Sequence, residues 1–121
     1  MKRNTKPTTQ PGQPVVTAFR SSVYGAIRQI PRGKVTTYRE VARVLGCRSP
    51  RAIGQALRHN PFAPEVPCHR VVASNAKLGG FEGATDGRPL LKKQRLLESE
   101  GVVFLPNGQV DSESFWVFPV S

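Results

Sequence analysis

The strongest constraint on this chain is a pair of helix signals placed almost end to end between Thr37 and Pro61. Thr37 followed by Glu40 has the spacing in which the Thr hydroxyl accepts from a first-turn amide while the Glu carboxylate reaches back to the cap nitrogen. A helix is therefore predicted to begin at Tyr38. Val41, Ala42 and Leu45 give it one buried face, and Gly46 can take the left-handed conformation that ends it. Ser49 and Pro50 read as the cap and first residue of a second helix, with Ile53, Ala56 and Leu57 inward and Asn60-Pro61 as its close. Two short helices joined by a tight turn have helix-turn-helix spacing, and PRAIGQALRH would be the helix that meets a partner.

Around this pair the pattern is coarser. Residues 1–15 are rich in Thr, Pro, Gln and Lys, which cannot bury enough surface to offset ordering entropy, so a disordered basic arm is expected there. From 16 to 121 one domain is expected. Phe19, Val23 and Ile27, with Tyr24 and Ile30 beside them, form an apolar stripe that predicts a first helix stopping at Pro31. The PRGKV stretch turns into a short extended segment ending at Thr37. After Pro61 helical periodicity is lost: VPCHRVV reads as a short buried strand entered through proline, followed by the glycine-rich loop KLGGFEGATDG. Pro89 opens a last helix containing Leu90, Leu91, Leu96 and Leu97, stopped by Gly101. VVFLPNGQV suggests a hairpin or turn at Asn107-Gly108, and Phe115, Trp116 and Phe118 can pack over the core.

The formal charge is +10 over 121 residues, and of the first fifteen residues only Lys2, Arg3 and Lys6 are basic. Most of the excess belongs to the folded part, which favours a polyanionic partner. Two cysteines, Cys47 and Cys68, are too few for a disulfide framework, and no four Cys and His residues have structural-zinc spacing. A reducing, intracellular compartment fits, without membrane insertion, since no apolar run approaches the ~18 residues of a span and the start lacks a signal-peptide core.

The most informative pair is Cys68-His69 in PCHR. A thiol needs help to become the attacking thiolate. By itself the pair is weak evidence, and an inert buried cysteine beside a packed histidine is the commoner arrangement. Neighbours in a strand point to opposite faces, so the two side chains can cooperate only if the backbone turns or a water connects them; a water link is expected. A carboxylate on the other ring nitrogen would then fix the tautomer and stabilise the imidazolium.

With TTYREVARVLG, PRAIGQALRHNP, PCHRVV, GGFEG and LLESEGV in this order, the chain resembles the active-site domain of the O6-alkylguanine-DNA alkyltransferases from about Phe19 to Trp116. The resemblance implies a mainly α domain with short extended segments, a winged-helix-like helix-turn-helix of the alkyltransferase type. It implies that Cys68 accepts the alkyl group irreversibly, with His69 as water-assisted base, Glu100 as the carboxylate orienting the imidazole, and Asn60 as a buttress of the turn before the cysteine. Tyr38 matches a tyrosine at the target phosphate with its hydroxyl near the base and is the candidate proton donor. Arg51 matches an arginine that fills the stack vacated by a flipped base. Ser49, Ala52 and Gly54 would lie against DNA, in the minor groove, with small Ala52, Gly54 and Ala56 letting the helix come close, although small residues also suit plain helix packing. Val71, Phe81, Glu82 and Gly83 would shape the substrate pocket, with Glu82 standing where the family often has a hydroxyl residue and with a loop several residues longer before Lys93.

The implied partner is double-stranded DNA carrying O6-alkylguanine, with O4-alkylthymine as a further substrate; the protein would be a monomer when free of DNA, in the nucleus of a eukaryote or in the cytoplasm and nucleoid otherwise. No cofactor and no metal are implied. The short stretch before the first helix is expected to leave out the amino-terminal domain, and any zinc site in it, that full members carry. An alkyltransferase-like protein that flips and marks the base without transfer is the alternative; such proteins typically replace the cysteine that Cys68 matches. A helix-turn-helix regulator would leave the Cys-His pair unexplained, and a thiol hydrolase would leave the basic helix pair unexplained.

Overall fold

A computed structural model describes residues 17–63, 65–80 and 87–119. The arm expected at 1–15 and the loop residues Phe81, Glu82 and Gly83 lie outside the described residues. Helix α1 (Ala18–Ile27) leads through a turn into strand β1 (Thr36–Thr37), then α2 (Tyr38–Leu45) and α3 (Pro50–Arg58). A 3-10 turn at Cys68–Arg70, strand β2 (Val71–Val72), helix α4 (Arg88–Ser99) and a last 3-10 turn at Ser112–Ser114 complete the order.

The helix pair forms as its caps dictate. The Thr37 hydroxyl accepts from the Glu40 amide, and Gly46 closes α2 in the left-handed region at φ 68°. Ser49 accepts from the Ala52 amide with Pro50 in the first turn of α3. The reciprocal half of the capping box does not form. The Glu40 carboxylate instead takes Arg43 at 2.9 and 2.7 Å and the Phe118 amide at 3.1 Å, tying the carboxy-terminal segment to α2. A guanidinium and a distant backbone amide offer a carboxylate more than one cap nitrogen can.

β1 and β2 pair in parallel, Thr36 with Val71 and Thr37 with Val72. Successive strand residues face opposite sides, and this pair divides two apolar clusters. Val71 belongs with Val23, Tyr24, Ile27, Val41, Ile53 and Phe118, the core beneath α1, α2 and α3. Val72 belongs with Val35, Leu97, Val102 and Val110 under α4 and the hairpin. That hairpin joins Phe104 to Val110 around Gly108 at φ 89°. Trp116 and Phe118 meet edge to face at 4.7 Å, with Phe118 sealing the first cluster.

Three readings from periodicity need correction. α1 ends at Ile27, before Pro31, and Phe19 is 40% exposed, so the buried stripe starts at Val23. PCHR is not extended: the 3-10 turn occupies Cys68–Arg70 and only Val71–Val72 is strand, because Pro67 sets a bend that starts the turn. On α4 the fully buried positions are Leu97 and, unexpectedly, Lys93, while Leu91 is 47% exposed. Among the described residues no helix is long and apolar enough to cross a membrane.

Candidate active site

Among the described residues between α3 and the Cys68–Arg70 turn there is no helix or strand, so side chains help to hold this stretch. Asn60 does most of this: its Nδ2 donates to the Val66 carbonyl at 3.0 Å and its Oδ1 accepts from the Phe62 amide at 2.8 Å. The Val66 carbonyl also accepts from the Cys68 amide at 2.8 Å, so one carbonyl links Asn60 to the start of the turn. Cys68 is half-buried and a free thiol. It packs against the first core cluster, as does Tyr38.

Because the backbone turns at Cys68, His69 is not thrown onto the far face of a strand. It is 4% exposed, and its Nε2 lies 2.9 Å from Glu100 Oε2 at the end of α4. With Nε2 engaged by a carboxylate, the ring's other nitrogen is the acceptor when the imidazole is neutral. Burial lowers the His69 pKa from its ordinary value, and the Glu100 contact only partly opposes this. Glu100 is far from ordinary. Burial would raise it, but hydrogen bonds from Arg70 and His69 outweigh that effect and lower its pKa to about 2.

Arg70 was not singled out by sequence reasoning, yet it completes the group. Its Nε and Nη2 donate to the two Glu100 oxygens at 2.9 and 3.0 Å, and Nη1 donates to the Ile30 carbonyl at 2.8 Å. A permanent guanidinium in fork geometry therefore compensates Glu100 without a proton on His69, and His69 can stay neutral beside a carboxylate. Gly33 is part of the same corner: at φ +88°, a side chain on it would place Cβ 2.8 Å from the Glu100 carbonyl oxygen. The signal for Arg70 lay in the PCHR string itself, but its partners are thirty and forty residues away.

Tyr38 stands at the first residue of α2 with its hydroxyl 3.4 Å from the Gly80 carbonyl. Burial raises its pKa above the ordinary phenol value, so the hydroxyl keeps its proton at neutral pH. Val71 is 0% exposed within the cluster against which Cys68 and Tyr38 pack. Lys93, likewise missed as a working residue, is 0% exposed and donates to the Val71, Leu78 and Gly80 carbonyls.

The second helix presents a different surface. Ser49 and Arg51 are exposed and Ala52 and Gly54 half-exposed, with the Ser49 hydroxyl used as the helix cap. A Cβ added at Gly54 meets nothing within 4 Å, so packing inside the chain does not require a glycine there. Arg39, Arg43, Arg48 and Arg58 are also exposed on or beside the helix pair. α3 is set in place by Tyr24, whose hydroxyl donates to the Ala56 carbonyl at 2.8 Å and whose ring meets Phe62 edge to face at 5.8 Å. The structure thus brings Cys68, His69, Glu100 and Asn60 to one corner of the fold, while Arg51, Ser49 and Gly54 form an outer face. Among the described residues no group of three or more His, Cys, Asp or Glu could hold a metal ion.

A family model described as the DNA-binding domain of 6-O-methylguanine DNA methyltransferase matches residues 18–102. The chain is 48% identical over 84 residues to a methylated-DNA--protein-cysteine methyltransferase of Saccharolobus solfataricus, covering 69% of this chain and 51% of that one. With the protein of the same name from Sulfolobus acidocaldarius it shares 46% over 87 residues, 72% of this chain and 52% of that one. The chain spans about half the length of these curated relatives. Among solved structures it is similar to Mycobacterium tuberculosis OGT in complex with DNA, with a TM-score of 0.63 and 40% identity over 70% of this chain and 50% of that one. It is similar also to S. pombe Atl1 in complex with damaged DNA containing O6-carboxymethylguanine, with a TM-score of 0.67 and 33% identity over 81% of this chain and 94% of that one.

Proposed function

This chain belongs to the family of 6-O-methylguanine DNA methyltransferase DNA-binding domains, and on that premise we propose that it repairs DNA by moving an alkyl group from O6 of a flipped-out guanine to Cys68. The observation that carries the reading is the corner in which a free thiol sits one residue from a buried histidine whose other nitrogen is held by an ionised carboxylate.

In the proposed reaction the Cys68 proton passes to His69 through a bridging water. Glu100 then balances the imidazolium, with Arg70 fixing the carboxylate. The thiolate attacks the alkyl carbon, the S–C bond forms as the C–O6 bond breaks, and the electron pair leaves on guanine. Tyr38, whose phenol stays protonated, is the proposed source of the proton that neutralises that anion. A thioether has no ready exchange reaction, so each molecule acts once. Arg51 at the exposed start of α3 would fill the vacated stack, with Ser49, Ala52 and the unencumbered face at Gly54 against the DNA. Val71 would stand behind the pocket wall; Phe81, Glu82 and Gly83 are proposed to complete that pocket.

Lesion binding without transfer is a second reading, favoured by the fit to S. pombe Atl1 over 94% of that chain. Cys68 speaks against it, because a protein that only marks the lesion has no use for a nucleophile at that position. The deciding experiment is intact mass after mixing with duplex containing one O6-methylguanine. A single gain of about 14 Da mapped to Cys68 is expected for methyl transfer. Unchanged mass with tight, lesion-selective binding would replace the transferase reading with the marker one.

A further inference from the structure

Lys93 is the one fully buried charged side chain among the described residues, and the family chemistry just proposed makes no use of it. Its amine sits on α4 and donates to three main-chain carbonyls: Val71 at 2.7 Å, Gly80 at 2.9 Å, and Leu78. An ammonium has three protons, so its donors are fully used. No carboxylate among the described residues pairs with it. The acceptors come from two places: β2, directly after the Cys68–Arg70 turn, and the stretch that runs past Tyr38.

That stretch is pressed against the Tyr38 ring. The Gly80 carbonyl takes both the Lys93 amine and, at 3.4 Å, the Tyr38 hydroxyl. Gly79 lies at φ +74°, and a Cβ on it would stand 3.1 Å from Tyr38 Cε2. The Lys93 amine is itself 5.8 Å from the centre of the same ring. Burying a lysine is costly, and a chain that only needed bulk here could have used leucine or methionine. Burial lowers the Lys93 pKa to about 7, a measure of that cost.

We infer that Lys93 is a positioning residue: by tying Leu78–Gly80 to β2, it fixes the backbone wall and the carbonyl that hold the Tyr38 phenol in place. The inference rests on the alkyltransferase reading only where it speaks of rate. Lys93→Met keeps most of the length and an apolar stem but leaves three carbonyls without their donor, so the wall relaxes and the phenol loses its fixed station. A displaced donor near the reacting base slows the bound-complex transfer step by about a hundredfold.

The test is a double-mutant cycle read as the single-turnover rate of transfer from O6-methylguanine duplex, using Lys93→Met, Tyr38→Phe and the pair. Action through Tyr38 predicts that Lys93→Met slows the Tyr38→Phe protein by less than about threefold, while Cys68 alkylation by iodoacetamide stays within about threefold throughout. Additive losses, or iodoacetamide reactivity falling in step with transfer, would overturn the inference. Should the protein transfer nothing, NMR still decides: the Tyr38 ring signals move in Lys93→Met and those of Tyr24 stay, and the reverse sinks the idea. If Lys93→Met does not fold, Gly79→Ala applies the same displacement from the other side of the wall. It must then produce the same non-additivity with Tyr38→Phe, or the same selective Tyr38 shift.

Discussion

At the scale of single residues, the corner around Glu100 has one feature that pair-wise reading of a Cys-His box misses. The carboxylate serves two cations in unequal ways, a permanent one through Arg70 and a conditional one through His69. Glu100→Gln would leave Arg70 half-buried without its counter-ion and would remove the group that balances the imidazolium. We expect transfer to slow by about a hundredfold or more. A loss of stability on the order of 3 kcal/mol at neutral pH is expected with it. The sign of the pH dependence follows from the lowered carboxyl: its contribution is complete above its ordinary value and fades as pH falls toward about 2. His69, lowered by burial, acts in the same direction, since acid must charge a ring that the fold holds neutral. Thermal unfolding of the parent and Glu100→Gln proteins between pH 7 and 2 should therefore show two curves that converge in acid; curves that stay parallel would contradict the assignment. Cys68→Ala should abolish transfer while lesion binding persists, measured by adduct mass and by gel shift on the same duplex. Full transfer by that protein would remove Cys68 from the chemistry.

At the scale of elements, α3 has two contrasting faces. Ile53, Ala56 and Leu57 bury against α1 and α2, and Tyr24 pins the helix backbone at Ala56. The opposite face carries Arg51 at its start and the open space at Gly54. Sequence alone left two reasons for a small residue there, packing or close approach of a partner. Gly54→Leu separates them. No internal clash follows from its first carbon, and a better helix former should hold or raise stability, by up to about 1 kcal/mol, read as an unchanged or higher melting temperature. Affinity for duplex DNA should nonetheless fall at least tenfold by fluorescence anisotropy. A melted or destabilised protein would instead mean that the glycine serves the fold.

For the molecule as a whole, the net charge of +10 is distributed so that arginines of the helix pair stay exposed. Attraction to DNA phosphate should then be strongly salt-dependent, with log affinity falling linearly against log salt concentration. A flat dependence would show that the charge is merely a solvated surface. The β1–β2 pair is small, yet it has consequences on both sides: Val71 completes the core under the helix-turn-helix, and Val72 the core under α4. The two clusters flank this pair, whose second strand directly follows the Cys68–Arg70 turn that carries His69 and Arg70 to Glu100.

Local chemistry was legible because it is written in neighbouring residues. Thr37, Gly46, Ser49 and Pro50 mark the ends of α2 and α3, and the order of the short motifs from TTYREVARVLG to LLESEGV carries the family. Caps and turns depend on one or two side chains acting on backbone a few positions away, so reading along the chain finds them. Tertiary structure alone decided the rest. Arg70 reaches Glu100 and Ile30, Glu40 gives up its own helix cap for Arg43 and Phe118, and Lys93 turns inward from a helix that looks leucine-led. Each of these is a buried polar group choosing among acceptors or donors that only the folded chain brings within reach. Burial makes an unpaired polar atom costly, so the choice is settled by distance in space, which the order of residues does not contain.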